Sequence, residues 1–191
     1  MTLWDKLQAT NPGESEEERL KMHKMASAIV FTSQGIPFIH AAQELVRTKF
    51  GDSNSYKSPD AINQIDWSRK LKYAHVFAYN QGLIALRKAH PAFRMPTTKQ
   101  IQNHLEFLPI PSDLMVGFCL NDHANGDPWK TIVVLFNASL EDQLVSLPGE
   151  GWIIVVDGER AGVEALGTVL GDTVIIPARS SLVLVDAQSF K

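Results

Sequence analysis

Apolar residues recur with two different periods along this chain, and the change falls near Pro96. Before it they follow helical spacing, and after it they come in short alternating runs. Ser15 and Glu18 have the spacing of a capping box, with Glu16 and Glu17 adding the negative charge that a helix N-terminus favours. Leu20, Met22, Met25, Ala26, Ile29 and Val30 then predict a helix with these residues on its core side, stopping before Gly35. Ile36-Pro37-Phe38-Ile39-His40 reads as a short strand, so helix and strand together suggest one βα unit of a parallel sheet. Pro37 limits the length of that strand. A polar stretch from Val46 to Asp66 reads as a long loop, and loops of that length in compact domains are usually functional or disordered. A second helix is expected from Ser68 to His90, with Ala74, Phe77, Ala78, Leu83, Ile84 and Leu86 on its apolar positions and Pro91 ending it.

The second half predicts strands only: Ile101 to Leu108, Leu114 to Leu120, Thr131 to Phe136, Gln143 to Leu147, Trp152 to Val156, Thr168 to Leu170, Thr173 to Ile176 and Ser181 to Val185. Turn signals separate them at Asn125-Gly126-Asp127-Pro128, Pro148-Gly149, Asp157-Gly158 and Gly171-Asp172. Short strands at this rhythm suggest an antiparallel sandwich. The expected fold class is α+β, with a helical part over residues 1–95 and an all-β sandwich over residues 96–191.

Composition changes this picture little. Hydrophobic residues make up 45% and charged residues 20% of 191, enough apolar surface for a core without disulfide or metal staples. The net charge of −3, with dispersed Lys and Arg, points away from nucleic acid and from a membrane surface as partners. Cys119 is the one cysteine, so no internal disulfide forms. Its apolar neighbours mark it as a buried core residue, and a cytoplasmic setting fits it.

The common catalytic motifs are missing: no G-x-S-x-G, H-E-x-x-H, P-loop or G-x-G-x-x-G. His40-Ala41-Ala42-Gln43-Glu44 lacks the second histidine of a zinc helix, and no calcium-loop pattern occurs, so neither metal nor cofactor is expected. Asn137-Ala138-Ser139 matches a glycosylation sequon but adjoins a predicted strand and is given no role. What remains is the long loop, with Asp52, Asn54, Tyr56, Asp60, Asn63 and Asp66, flanked by Arg47 and Trp67. Amides and carboxylates bind sugar hydroxyls, and aromatic rings stack on the apolar faces of pyranoses. On composition alone a solvated loop of turn-forming Asp and Asn is the simpler explanation. The functional alternative stands because α/β barrels carry their sites on loops that follow parallel strands.

Gly35-Ile36-Pro37-Phe38-Ile39-His40-Ala41-Ala42-Gln43-Glu44 resembles the final barrel-strand motif of the α-amylase superfamily of glycoside hydrolases. The continuation Leu45-Val46-Arg47-Thr48-Lys49 and then Asn54 through Trp67, with the opening Thr2-Leu3-Trp4-Asp5-Lys6-Leu7, resembles the type I pullulanase branch. The likeness covers residues 1 to 95 and continues more weakly through the β half, where the superfamily carries a sandwich called domain C. The resemblance implies the last part of a catalytic (β/α)8 barrel followed by that domain, from an enzyme that hydrolyses α-1,6 linkages of pullulan, glycogen or starch-type glucans with retention. That chemistry uses a carboxylate nucleophile and a carboxylic acid about 5 Å apart, with a further Asp in support.

In the family these three groups stand on segments that would precede Met1, so no catalytic residue is expected here and the chain alone should be inactive. Glu44, Asp52, Asp60 and Asp66 come from one strand and loop and cannot flank one glycosidic bond from opposite sides. The resemblance instead implies that Arg47, Asn54, Tyr56, Asp60 and Asn63 form part of the wall of the α-glucan cleft, Asp60 and Asn63 foremost. Trp67 reads as packing at the start of the second helix, and Arg47 has an ion pair with Glu44 or Asp52 as its alternative role. Ala42 stands where the superfamily often has glycine. A competing reading makes the β half a non-catalytic carbohydrate-binding module using Trp129 and Trp152; a purely structural role for that half is favoured, because it holds few aromatics. A lone barrel strand with two uncovered helices also predicts self-association.

Overall fold

The computed structural model describes residues 1–191. Helix α1 (Leu3–Thr10) opens with a complete capping box, in which Thr2 Oγ1 accepts the Asp5 N–H and the Asp5 carboxylate accepts the Thr2 N–H. Helix α2 (Glu16–Thr32) begins where expected, with Ser15 Oγ accepting the Glu18 N–H at 3.1 Å. The reciprocal half of that predicted box does not form. Glu18 turns to Lys21 at 2.6 Å and to Arg179 at 3.0 Å, because charge-assisted bonds are stronger than one to a neutral amide.

The second long helix is divided. Helix α4 (Arg69–Lys72) ends at Tyr73, whose φ of −112° and ψ of 37° break the helical path, and α5 (Ala74–Ala89) continues to the turn at Pro91. A one-turn helix, α3 (Asp60–Asn63), lies within the long loop. Helix α6 (Thr98–His104) occupies much of the first predicted strand: Thr97 Oγ1 accepts the Gln100 N–H at 3.2 Å, and that cap starts a helix before Leu105 turns extended.

The remaining strands appear close to their predicted positions. They are β1 (Leu105–Phe107), β2 (Met115–Leu120), β3 (Ile132–Asn137), β4 (Gln143–Ser146), β5 (Trp152–Val156), β6 (Gly167–Val169), β7 (Thr173–Ile176) and β8 (Ser180–Asp186). Six form one sheet in the order β1-β2-β3-β8-β5-β6, and β4 pairs with β7 in a second, every pairing being antiparallel. One face of the large sheet, with Met115, Cys119, Val133, Leu135, Leu182 and Leu184, packs on Val145, Val174 and Ile176 of the small one. The opposite face, with Phe118, Leu120, Val134, Phe136, Val183 and Val185, packs on Ala28 and Phe31 of α2 and Tyr79, Leu83 and Leu86 of α5. Every residue of β3 is buried, which is why that strand reads as an unbroken apolar run. A register shift between Ile154 and Val156 turns both Val155 and Val156 toward the helices.

The predicted barrel strand is absent as a strand. Ile36–His40 has no partner strand in this half of the chain, and without a neighbour no ladder can form. Ile36 and Phe38 are accordingly 96% and 89% exposed. The predicted helix stripes are also rotated. In α2 the buried residues are His23, Lys24, Ser27, Ala28, Phe31 and Thr32, whereas Ile29 is exposed and Leu20, Met22, Met25, Ala26 and Val30 are half-buried. In α5 they are Val76, Tyr79, Asn80, Leu83, Leu86 and Arg87, with Ala74, Ala78 and Ile84 exposed.

The faces that are buried carry Ala28, Phe31, Tyr79, Leu83 and Leu86 onto the large sheet, and polar tethers accompany them. Lys24 reaches Glu159 at 2.6 Å, the Tyr79 hydroxyl bonds the Asp157 carbonyl at 3.2 Å and Ser181 Oγ at 3.1 Å, and Arg179 pairs with both Glu14 and Glu18. Each links a helix to the β half.

Candidate functional site

The long loop leaves a tight hook. Ala42, Val46, Phe50 and Gly51 all have positive φ (68°, 57°, 55° and 82°), so the chain reverses repeatedly between residues 42 and 51. Ala42 thus adopts the left-handed conformation that a glycine would take more readily. Val46 is costlier still, a β-branched residue in that region, and persists because its surroundings over-determine it. Its side chain is buried against Trp4, Tyr73 and Val76, and its carbonyl accepts from Arg69 Nε at 3.1 Å.

Beyond the hook, side chains rather than sheet or helix ladders hold the chain. Lys49 Nζ donates to Ser55 Oγ at 2.6 Å and to Asn63 Oδ1 at 3.0 Å. Asn63 Nδ2 donates to the carbonyls of Ser55 at 2.7 Å and Ser58 at 2.8 Å. Asp52 accepts from Ser58 Oγ and, at 2.8 Å, from the Asn54 N–H. Arg47 donates to the carbonyls of Ala41 (3.2 Å) and Asn63 and pairs with neither Glu44 nor Asp52, so the ion-pair alternative is overturned. Backbone carbonyls lie within reach of its fork, and Asp52 is engaged by Ser58 and the Asn54 amide instead.

Of the five residues proposed to face a glucan, Asn54, Tyr56 and Asp60 are exposed, and Arg47 and Asn63 are half-buried within the network just described. The Tyr56 ring is 75% exposed, with Lys57 Nζ 5.3 Å from its centroid. Trp67 is a correction: it does not pack but is 68% exposed. It sits in the turn before α4, where nothing in this chain covers it. With Ile39, His40, Glu44, Phe77 and Ile84 it lines an open groove of about 580 Å³.

The carboxylates supply no acid–base pair. Hydrogen bonds from Ser58 and the Asn54 amide hold Asp52 below the usual carboxylate range, and Ser68 does the same to Asp66 through its hydroxyl and amide. Both are anions at neutral pH, the opposite of what a general acid needs. The aromatic pair of the β half is no better placed for sugar. Trp129 and Trp152 are both 4% exposed, Trp129 being stacked between His90 and Phe190, which removes the candidates for a binding module. Cys119 is buried and its thiol pushed up to about 12 by that burial, an inert core residue. Asn137 of the sequon is also buried, its amide donating to the carbonyls of Glu141, Ile176 and Pro177.

Residues 101–160 match the family model described as "Pullulanase, all-beta domain". The pullulanase of Bacillus subtilis (strain 168) is 42% identical over 149 residues, covering 78% of this chain and 21% of that protein. The solved pullulanase from Bacillus acidopullulyticus superposes with a TM-score of 0.94 at 47% identity, over 97% of this chain and 23% of that one. The chain belongs to the pullulanase family. A further solved structure, the pullulanase from Paenibacillus barengoltzii in complex with maltohexaose and α-cyclodextrin, matches with a TM-score of 0.84 at 45% identity, over 96% of this chain and 28% of that one. This pullulanase-family chain therefore spans about a fifth to a quarter of the length of these relatives.

Sequence reasoning missed the residues that hold the loop, namely Asp5, Thr48, Lys49, Ser55 and Ser58. Asp5 and Thr48 lie 43 positions apart, and no local pattern announces such a pair. It also missed His23, whose Nε2 lies 2.9 Å from the Gln43 carbonyl while its ring meets Trp4 edge-on. Burial lowers its pKa to about 4, against the opposing effect of the Gln43 carbonyl. An unfolded histidine titrates near 6.5, so the unfolded chain binds the extra proton first as pH falls. The contribution of His23 to stability is complete above about pH 6.5 and falls by roughly 3 kcal/mol as pH drops from 6.5 to 4. Urea unfolding of the wild type and of His23→Gln across that window checks this. The variant should lose most of the slope, and equal slopes would remove His23 as the cause.

Proposed function

We propose that the chain is the closing part of an α-1,6-glucan debranching hydrolase of the retaining, pullulanase type. Residues 1–95 complete a (β/α)8 catalytic barrel, and residues 96–191 form the β domain that covers it. The observation that carries this is the superposition on a pullulanase over 97% of the chain at 47% identity. The loop chemistry supports it, since exposed Asn54, Tyr56 and Asp60 stand on one loop with Arg47 and Asn63 beneath them, as a wall of the glucan cleft would. The uncovered Ile36 and Phe38 are consistent with a strand that pairs inside a complete barrel. A nucleophile and general acid carried by preceding barrel segments would account for the lack of an acid–base pair among the loop carboxylates.

The test compares this chain with a polypeptide extended upstream through a whole barrel, measuring reducing-sugar release from pullulan together with sedimentation. Release by the extended polypeptide alone is expected, with the short chain inactive and associating at high concentration through its uncovered apolar surface. Release by the short chain would overturn the assignment of catalysis to preceding segments. Inactivity of both on pullulan would overturn the debranching assignment.

A further inference from the structure

Asp5 is a buried carboxylate, 4% exposed, that forms no salt bridge. An isolated buried charge is costly unless hydrogen bonds satisfy it. One set of bonds is local, to the N–H of Thr2 in the capping box of α1. The other reaches the hook, where Oδ1 accepts the Thr48 hydroxyl and Oδ2 accepts the Lys49 N–H at 2.8 Å. Thr48 Oγ1 in turn accepts the Phe50 N–H at 2.9 Å, at one of the positive-φ reversals. One carboxylate thereby sets three consecutive residues.

The second of those residues carries the constraint onward, because Lys49 Nζ binds both Ser55 and Asn63, and Asn63 ties down Ser55 and Ser58. Helix α1 is a fixed base for this chain of bonds, since Trp4, next to Asp5, is buried with Val46, Tyr73 and Val76. Burial works to raise the carboxyl, but the bonds from Thr48, Lys49 and Thr2 hold it below its usual range, so it accepts as an anion at neutral pH.

We propose that Asp5 is a positioning residue for glucan binding, setting from α1, through Thr48 and Lys49, where Asn54, Tyr56 and Asp60 stand. The proposal rests on the cleft-wall assignment of that loop. Two readouts on the 191-residue chain separate the two ideas: amide hydrogen exchange by NMR, and titration with maltotetraose followed at the Asn54 and Tyr56 amides. In Asp5→Asn the charge is lost, and the one amide oxygen can serve the Thr2 and Lys49 N–H groups or the Thr48 hydroxyl but not both. Exchange at Lys49, Asn54, Ser58 and Asn63 is expected to rise by about tenfold or more, with β3 and β8 unchanged. Maltotetraose binding should weaken by a similar factor.

Thr48→Val should reproduce both effects and Thr48→Ser should restore both, and this pair decides the matter if Asp5→Asn fails to fold. Unchanged exchange in the loop, a rise shared equally by β3 and β8, or sugar affinity unaffected by a loosened loop would overturn the positioning role. If maltotetraose shifts nothing in the unaltered chain, the cleft-wall assignment falls instead, and the exchange results still show whether Asp5 orders the loop.

Discussion

Gly82→Ala should destabilise the chain by about 3 kcal/mol, against the gain of roughly 1 kcal/mol that the same change brings in an ordinary helix interior. Gly82 lies in the middle of α5, and a Cβ built there would stand 1.8 Å from the Ala161 carbonyl oxygen and 2.4 Å from its carbonyl carbon. The obstacle is backbone, so no rotamer change relieves it. Nor can that backbone swing away, because Ala161 bridges Val156, the Gly162 N–H reaches the Val155 carbonyl at 3.1 Å, and the Asp157 N–H reaches the Arg160 carbonyl at 2.9 Å. The helix must retreat, opening the contacts that Tyr79, Leu83 and Leu86 make with the large sheet. Urea unfolding measures this directly. A rise in the midpoint would mean that α5 and the segment after β5 do not approach as closely as described.

Arg87→Met should cost a similar amount, about 3 kcal/mol, with Arg87→Lys recovering only part of it. Near the end of α5, Arg87 suits the dipole of its own helix. In the structure it is 5% exposed and serves the end of α2 instead. Nη1 donates to the carbonyls of Phe31 (2.8 Å) and Ser33 (2.7 Å), and Nη2 to that of Gly35 (2.6 Å). The first two are among the unpaired acceptors that every helix leaves at its C-terminus, and the third lies in the turn just after it. A methionine fills the volume but leaves three acceptors without a donor in a largely desolvated place, and a lysine ammonium cannot match the planar fork. Thermal or urea unfolding of the three proteins ranks them. Equal stability of Met and Arg at this position would show that water replaces the guanidinium without loss.

The two substitutions differ in what the sequence discloses about them. A glycine within a helical pattern reads as a weak point, and an arginine in a last turn reads as a surface charge. Both are decided by groups dozens of residues away. The candidate site divides the same way. The pullulanase likeness was legible in the motifs around Asn54, Tyr56 and Asp60, and it alone marked them as cleft-wall candidates, since the composition of the loop by itself reads as turn formers. The carboxylate of Asp5 and the lysine of the hook, which give that loop its shape, were not.

The sequence by itself determined the strands of the β half closely after the first, where α6 replaces most of the expected strand, since strands with turn residues between them carry their period and boundaries locally. It also determined where α2 begins and ends and where α5 ends, through Ser15, Gly35 and Pro91, because caps and breakers act within one turn, but not the break at Tyr73 that starts α5. Tertiary structure alone decided which side of each helix is buried. Ala28, Phe31, Tyr79, Leu83 and Leu86 met the apolar face of the large sheet, and Lys24, Tyr79, Arg87 and Arg179 found polar partners across the interface with the β half or between the helices. It alone decided, too, that Ile36–His40 is no strand here. A strand is a property of two segments, its hydrogen bonds belong to the neighbour as much as to itself, and this chain brings no second segment alongside.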